Sequence, residues 1–194
     1  MMLLMVTELY AGMIDKNDMA PWEICGLCHN LDGISVMAKF PKLAGQKRRY
    51  LKRQFYAFKH QKRSNDGGQM NAITSEVDPK DIDKITRYFS TLPYPRPQLL
   101  ENESKSKTDY AKGKLLFEKG RKGIEPCQSC HNKQHLFAPY IKAQHGEYLK
   151  KQLYDFKLGL RDGEGLTPMS SIAEHLTDKE MHELVVYLKS THQL

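Results

Sequence analysis

No apolar run in this 194-residue chain is longer than Met1 to Val6. A membrane-spanning helix needs about 20 such residues, so none is read in the chain as given. Met1 to Val6 also lacks a basic n-region and is too short for the apolar part of a secretory signal. Cysteine is scarce: Cys25, Cys28, Cys127 and Cys130 are all there are. Around them there is no strand-rich alternation of apolar and polar residues. What is present is a core-forming composition, 40% hydrophobic and 27% charged, which excludes a disordered chain. The length leaves room for two small domains.

The four cysteines fall into two identical patterns. Cys25-Gly26-Leu27-Cys28-His29 and Cys127-Gln128-Ser129-Cys130-His131 are both Cys-x-x-Cys-His, the attachment signature of c-type haem. The spacing suits the chemistry: two thiols add across the porphyrin vinyl groups, and the histidine one turn later lies under the iron. No cysteine is left for a disulfide. A shared structural zinc site would join Cys-x-x-Cys pairs about 15–20 residues apart, whereas Cys25 and Cys127 stand 102 positions apart. A thioredoxin-type redox pair expects a βαβ setting and no second copy. The pattern predicts two covalently bound haem c groups, with His29 and His131 as iron ligands.

The repeat extends beyond the motifs. Pro41, Gln46, Tyr50, Leu51, Gln54, Phe58 and Arg63 match Pro139, Gln144, Tyr148, Leu149, Gln152, Phe156 and Arg161 at a constant offset of 98. The loop after the first motif is therefore four residues longer than its counterpart. Met70 matches Met169 at an offset of 99, which the last segments, Val77 to Phe89 and Leu176 to Leu188, preserve. Helical spacing of apolar residues marks Gln46 to Lys59 and Asp109 to Lys119. Thr177-Asp178-Lys179-Glu180 reads as a capping box, and Asp78-Pro79 as a looser start to the matching helix. Pro93-Tyr94-Pro95-Arg96-Pro97 opens a semi-extended polar linker. The expected division is residues 1–92, a linker over 93–108, and 109–194.

Each iron needs a second axial ligand or has an open site. The first half offers Met37, His60 and Met70; the second offers His135, His145, Met169 and His175. Only Met70 and Met169 hold matching positions, in what the sequence suggests is a loop ahead of the last helix. His60 matches Leu158 and His145 matches Lys47, so neither is expected to ligate. A thioether opposite imidazole raises the potential and fills the coordination sphere. That favours outer-sphere electron transfer over reactions with peroxide or oxygen.

With these motifs, the Pro-Lys-Leu-Ala-Gly-Gln and Tyr-Leu-x-x-Gln segments and the late Met in each half, the chain resembles the cytochrome c4 family. The resemblance runs from about Trp22 to Leu188. It implies an all-α fold of two tandem cytochrome c domains related by a pseudo-twofold axis, with haem propionates close at the interface. It implies His29 and Met70 on one iron, and His131 and Met169 on the other. The Pro41 and Pro139 carbonyls should accept a hydrogen bond from the proximal imidazole, fixing its tautomer. Arg63 and Arg161, with the repeated Gln and Tyr residues, are candidates for contact with the propionates or the interface; helix packing is the alternative. The family also implies a periplasmic location. Its pattern is departed from at Thr7 to Met13, a weak counterpart of the Asp109 helix.

The net charge of +7 favours acidic partners. Two ferric haems with ionised propionates bring it to about +5. Nine Lys and Arg lie between Lys42 and Arg63, with no acid from Asp32 to Asp66. This stretch, notably Lys47, Arg48, Lys52 and Arg53, is expected to form a docking face for an acidic redox protein, with peripheral contact to membrane complexes possible. Nucleic acid is not expected, because the aromatics of the stretch fit a core stripe. Three functions fit the residues: an electron shuttle between a donor complex or dehydrogenase and an oxidase or reductase, a dedicated acceptor for one enzyme such as thiosulfate dehydrogenase, and, least well, a diheme peroxidase.

Overall fold

The computed structural model describes residues 18–99, 104–161 and 168–193. Met1 to Val6 and Thr7 to Met13 lie outside the described residues. Within them the secondary structure is helical, and the one β contact is an isolated bridge between Arg121 and Ile124. The first half comprises α1 (Glu23–His29), α2 (Arg48–Lys59), α3 (Gln69–Glu76), a 3₁₀ turn at Pro79–Asp81 and α4 (Ile82–Thr91). The second comprises α5 (Ser104–Lys119), a 3₁₀ turn at Cys127–Ser129, α6 (Gly146–Lys157), α7 (Met169–Glu174) and α8 (Asp178–Lys189).

Each half has its own core. Ile24, Phe55, Val77, Ile82, Ile85 and Phe89 pack together in the first. Leu116, Phe117, Leu149, Met181, Leu184, Tyr187 and Leu188 form the heart of the second. In the second, α5 crosses α8 so closely that a Cβ on Gly113 would sit 2.0 Å from the Glu183 carbonyl oxygen. Only glycine permits that approach.

The helix starts follow local chemistry. Thr177 accepts from the Glu180 backbone N–H while the Glu180 carboxylate accepts from that of Thr177, satisfying two orphan donors of α8. Arg121 also grips Glu180, and its hydrogen bond holds that carboxyl down at a pKa of about 2. In the first half the Asp78 side chain accepts from the Lys80 N–H, with Pro79 at the first position of the 3₁₀ turn. α5 begins at Ser104, five residues ahead of the expected Asp109, so it takes in part of the stretch read as linker.

Both α2 and α6 stop through a left-handed residue, Gln61 with φ 58° and Gly159 with φ 68°. The chain then folds back: the Arg63 N–H donates to Ala57 O and the Arg161 N–H to Asp155 O. This turn sends each arginine to the boundary between the halves. The linker is pinned there as well. Pro95 is buried, the Tyr94 ring meets the Tyr140 ring edge-on, and Gln98 donates to Lys189 O.

Candidate haem-binding sites and the seam between them

Cys25, Cys28 and His29 lie on α1, so both thiols and the imidazole are spaced by helical geometry. Cys127 and Cys130 sit at a tighter 3₁₀ turn, where the His131 N–H donates to Cys127 O. None of the four cysteines is in a disulfide. Burial pushes the Cys25 thiol up to about 12 and the Cys127 thiol to about 11.

The two imidazoles are held alike. His29 Nδ1 lies 2.8 Å from Pro41 O and His131 Nδ1 lies 2.9 Å from Pro139 O. A carbonyl can only accept, so Nδ1 carries the hydrogen and Nε2 keeps its lone pair. Burial lowers the pKa of His29. It lowers that of His131 to about 4, so the ring is neutral at pH 7. Neutral imidazoles with committed Nδ1 atoms, each beside a pair of thiols, are a donor set that fits covalent haem c.

Met70 and Met169 lie in the first turns of the short helices α3 and α7, as their second and first residues, rather than in loops. Met70 is anchored by its N–H, which donates to the Asp66 carboxylate at 2.6 Å. One turn later the helices bury matched residues, Thr74 and Ala173, both 0% exposed. Met37, His60 and His135 are exposed, and His60 stacks on Tyr56. His175 is occupied at Nδ1 by Ser171 O, 2.8 Å away.

A model of the cytochrome c family matches residues 110–192. Cytochrome c4 of Pseudomonas aeruginosa is 32% identical over 177 residues, spanning 87% of this chain and 84% of the relative. The chain belongs to the cytochrome c4 family. A solved cytochrome c4 from Acidithiobacillus ferrooxidans superposes with a TM-score of 0.74 at 26% identity, covering 87% of this chain and 99% of the other. A thiosulfate dehydrogenase electron acceptor from Stutzerimonas stutzeri is 25% identical and matches over 87% of this chain and 79% of its own length. The fold is accordingly all-α, with tandem cytochrome c domains, and the cofactor is covalently bound haem c. As a cytochrome c4 family member the protein is a diheme electron carrier. Among the described residues no helix is long and apolar enough to cross a membrane.

In this cytochrome c4 family fold the domains meet at a polar seam with near-twofold symmetry. Gln46 Nε2 donates to Tyr140 O, and the Tyr140 N–H donates back to Gln46 Oε1. Gln144 does the same with the backbone of Lys42, the repeat counterpart of Tyr140. Arg63 donates to Gln54 in its own half and to Tyr148 and Gln152 across the seam. Arg161 donates to Gln152 in its own half and to Tyr50 and Gln54 across it. Both guanidiniums also lie over a ring of their own half, Phe58 and Phe156. The repeated Gln, Tyr and Arg positions are therefore seam residues.

The basic stretch also makes many contacts within the chain. Lys42 Nζ donates to Ala143 O across the seam, and Lys47 Nζ to Asn132 O and His135 O. Arg53 reaches Phe137 O and lies over its ring. Arg48 and Lys52 pair with Asp83 on α4, and Lys59 donates to Thr74 O and Val77 O. Lys42, Lys47, Arg48, Lys52, Arg53, Lys59 and Arg63 thus all bind within the chain, and Lys47 and Arg53 clasp the two domains. The physical reason is proximity: carbonyls left bare by the loop after the second motif lie opposite α2, and lysines satisfy them. His145, set aside as a ligand, is also a seam residue that the repeat did not reveal. Its Nε2 is 2.9 Å from Ser35 O and 3.0 Å from Ser35 Oγ.

Proposed function

We propose that Cys25, Cys28, Cys127 and Cys130 attach the two haems, with His29 and Met70 on one iron and His131 and Met169 on the other. The observation that carries this reading is the twofold recurrence of one donor geometry: a Cys-x-x-Cys-His histidine bonded through Nδ1 to a proline carbonyl, with a methionine in the first turn of a short helix downstream. When bound, each haem supplies a one-electron ferric/ferrous couple. The protein orients the imidazoles through Pro41 and Pro139 and keeps their Nε2 atoms unprotonated. Arg63 and Arg161 hold the two units in one register, and their charge would favour haem propionates near the seam. The proposed units are residues 1–92 and 109–194, joined through 93–108, with α5 reaching back into that junction.

In this reading the protein works in the periplasm, carrying electrons from a membrane donor complex or a dehydrogenase to an oxidase or reductase. The likeness to the thiosulfate dehydrogenase electron acceptor supports a second reading, in which it serves that one enzyme. Two protein ligands on each iron would leave no open site, which would distinguish both from a peroxidase. The reduced holoprotein should not bind carbon monoxide, and the ferric form should show a sulfur-to-iron charge-transfer band that weakens in Met70→Ala and again in Met169→Ala. Carbon monoxide binding by the parent, or a band intact in both variants, overturns the ligand assignment. Reduction rates with purified thiosulfate dehydrogenase and thiosulfate, set against those with a quinol-oxidising complex, separate the two carrier readings.

A further inference from the structure

Two departures from the repeat meet at one point of the seam. The first half has four extra residues between its Cys-x-x-Cys-His motif and Pro41. The second half has His145 where the first has Lys47. The loop containing the extra residues holds Ser35, and His145 enters from the other domain to bind it. Both side chains are buried, Ser35 2% exposed and His145 7%.

The hydrogen bonds have a direction. Ser35 O can only accept, so His145 Nε2 carries the hydrogen and donates to it and to Ser35 Oγ. Ser35 Oγ spends its own hydrogen on Phe40 O, 2.5 Å away. The next residue is Pro41, whose carbonyl accepts from His29 Nδ1 at 2.8 Å. A continuous path of donors and backbone thus runs from a histidine of the C-terminal domain to the proximal imidazole of the N-terminal one. Both halves share a glutamine contact to the residue after the proline, but the second has no counterpart of the His145–Ser35 link: there the Lys47 ammonium meets Asn132 O and His135 O, and Arg53 meets Phe137 O.

We propose that His145 is a cross-domain positioning residue for the N-terminal haem. It fixes the Ser35–Phe40–Pro41 loop, and through it the hydrogen bond that sets the basicity of His29. This rests on His29 being an iron ligand. A well-formed Nδ1–H to carbonyl bond makes imidazole a stronger donor to ferric iron and holds the potential down. Loosening Pro41 weakens that bond, so the N-terminal potential rises while the C-terminal one is spared.

The test is a spectroelectrochemical titration of the diheme holoprotein. His29→Gly, with and without added imidazole, identifies the N-terminal step and checks the ligand reading by itself. If it leaves the low-spin spectrum intact, that reading fails whatever His145 does. With it established, His145→Ala should shift the reduction equilibrium of the N-terminal haem at least threefold toward ferrous and the other haem by less than half as much. Ser35→Ala should produce the same selective shift, and the double variant should add little, since both break one path. His145→Gln, which keeps an N–H donor, should restore most of the parent value. Equal shifts at both haems, or none in folded His145→Ala and Ser35→Ala, overturn the proposal. Should His145→Ala not fold, Ser35→Ala and His145→Gln still decide it.

Discussion

Lys47 and His145 occupy the same place in the two repeats, just ahead of α2 and α6, and both reach across the seam. The lysine is long, charged and half-exposed, and it satisfies two loop carbonyls while lying over the Tyr140 ring. The histidine is buried and directional, and it reads the position of one serine. Beside them Gln46 and Gln144 make identical bidentate contacts with the opposite backbone. The seam is thus symmetric where it satisfies main chain and asymmetric where the two haem environments can be told apart. Gene duplication explains the first property directly. The second comes from single-residue differences and a four-residue difference in loop length, which set the domains apart without disturbing the register.

The sharpest way to separate the halves is to break one core and follow the other. Gly113→Ala places a Cβ against the Glu183 carbonyl, and neither partner is a flexible side chain. α5 and α8 must move apart, and overpacking of this kind costs about 3 kcal/mol. Amide exchange should quicken across α5 and α8 while α2 and α4 keep their protection. If all four lose protection together, the seam couples the domains into one folding unit and the separate-core picture fails.

A smaller effect tests the symmetric part. Gln46→Ala strips the Tyr140 backbone of two partners, and Gln144→Ala does the same to Lys42. Leaving buried main-chain groups unpaired costs about 1–3 kcal/mol. The two losses should agree within about 1 kcal/mol by urea midpoint, with Gln144 the larger because its bonds are the more deeply buried. A loss at one site alone would show that the other half of the seam opens freely to water.

The two motifs and the helical repeat were legible from residues alone because covalent attachment demands an invariant spacing and duplication preserves offsets. The Thr177 capping box was readable for a similar reason, being a local four-residue device. The seam was not. Its contacts join residues about 100 apart in sequence, and nothing local distinguishes a lysine bound to a carbonyl across the seam from one in water. The part that Lys47 and Arg53 play in clasping the domains therefore carried no sequence signal. His145 failed the repeat test for iron ligation and so carried no signal, although it is the departure from repeat symmetry that gives it a role. The start of α3 reads as loop from sequence because Asp66, which accepts from the Met70 N–H, is followed by two glycines, a pattern that otherwise marks a turn.

The smallest difference between the halves is the most exacting. Gly45 and Ala143 are repeat counterparts with left-handed backbones, φ 67° and 57°, and each donates its N–H to the last helix of its domain, at Phe89 O and Leu188 O. An alanine there bears a strain of about 1 kcal/mol. The C-terminal domain tolerates it because Ala143 is fully buried, its methyl accommodated in the packing. At Gly45 a Cβ would meet the Tyr94 ring at 2.4 Å, so strain and collision add. Gly45→Ala should cost about 2 kcal/mol and free Tyr94 from its edge-on contact with Tyr140, visible as a change in near-ultraviolet dichroism. Ala143→Gly should fall within about 0.5 kcal/mol of the parent, because relief of strain is offset by the lost methyl contact and a more flexible unfolded chain. Equal costs for the two substitutions would mean that the linker does not press on Gly45, and that the glycine there serves the backbone alone.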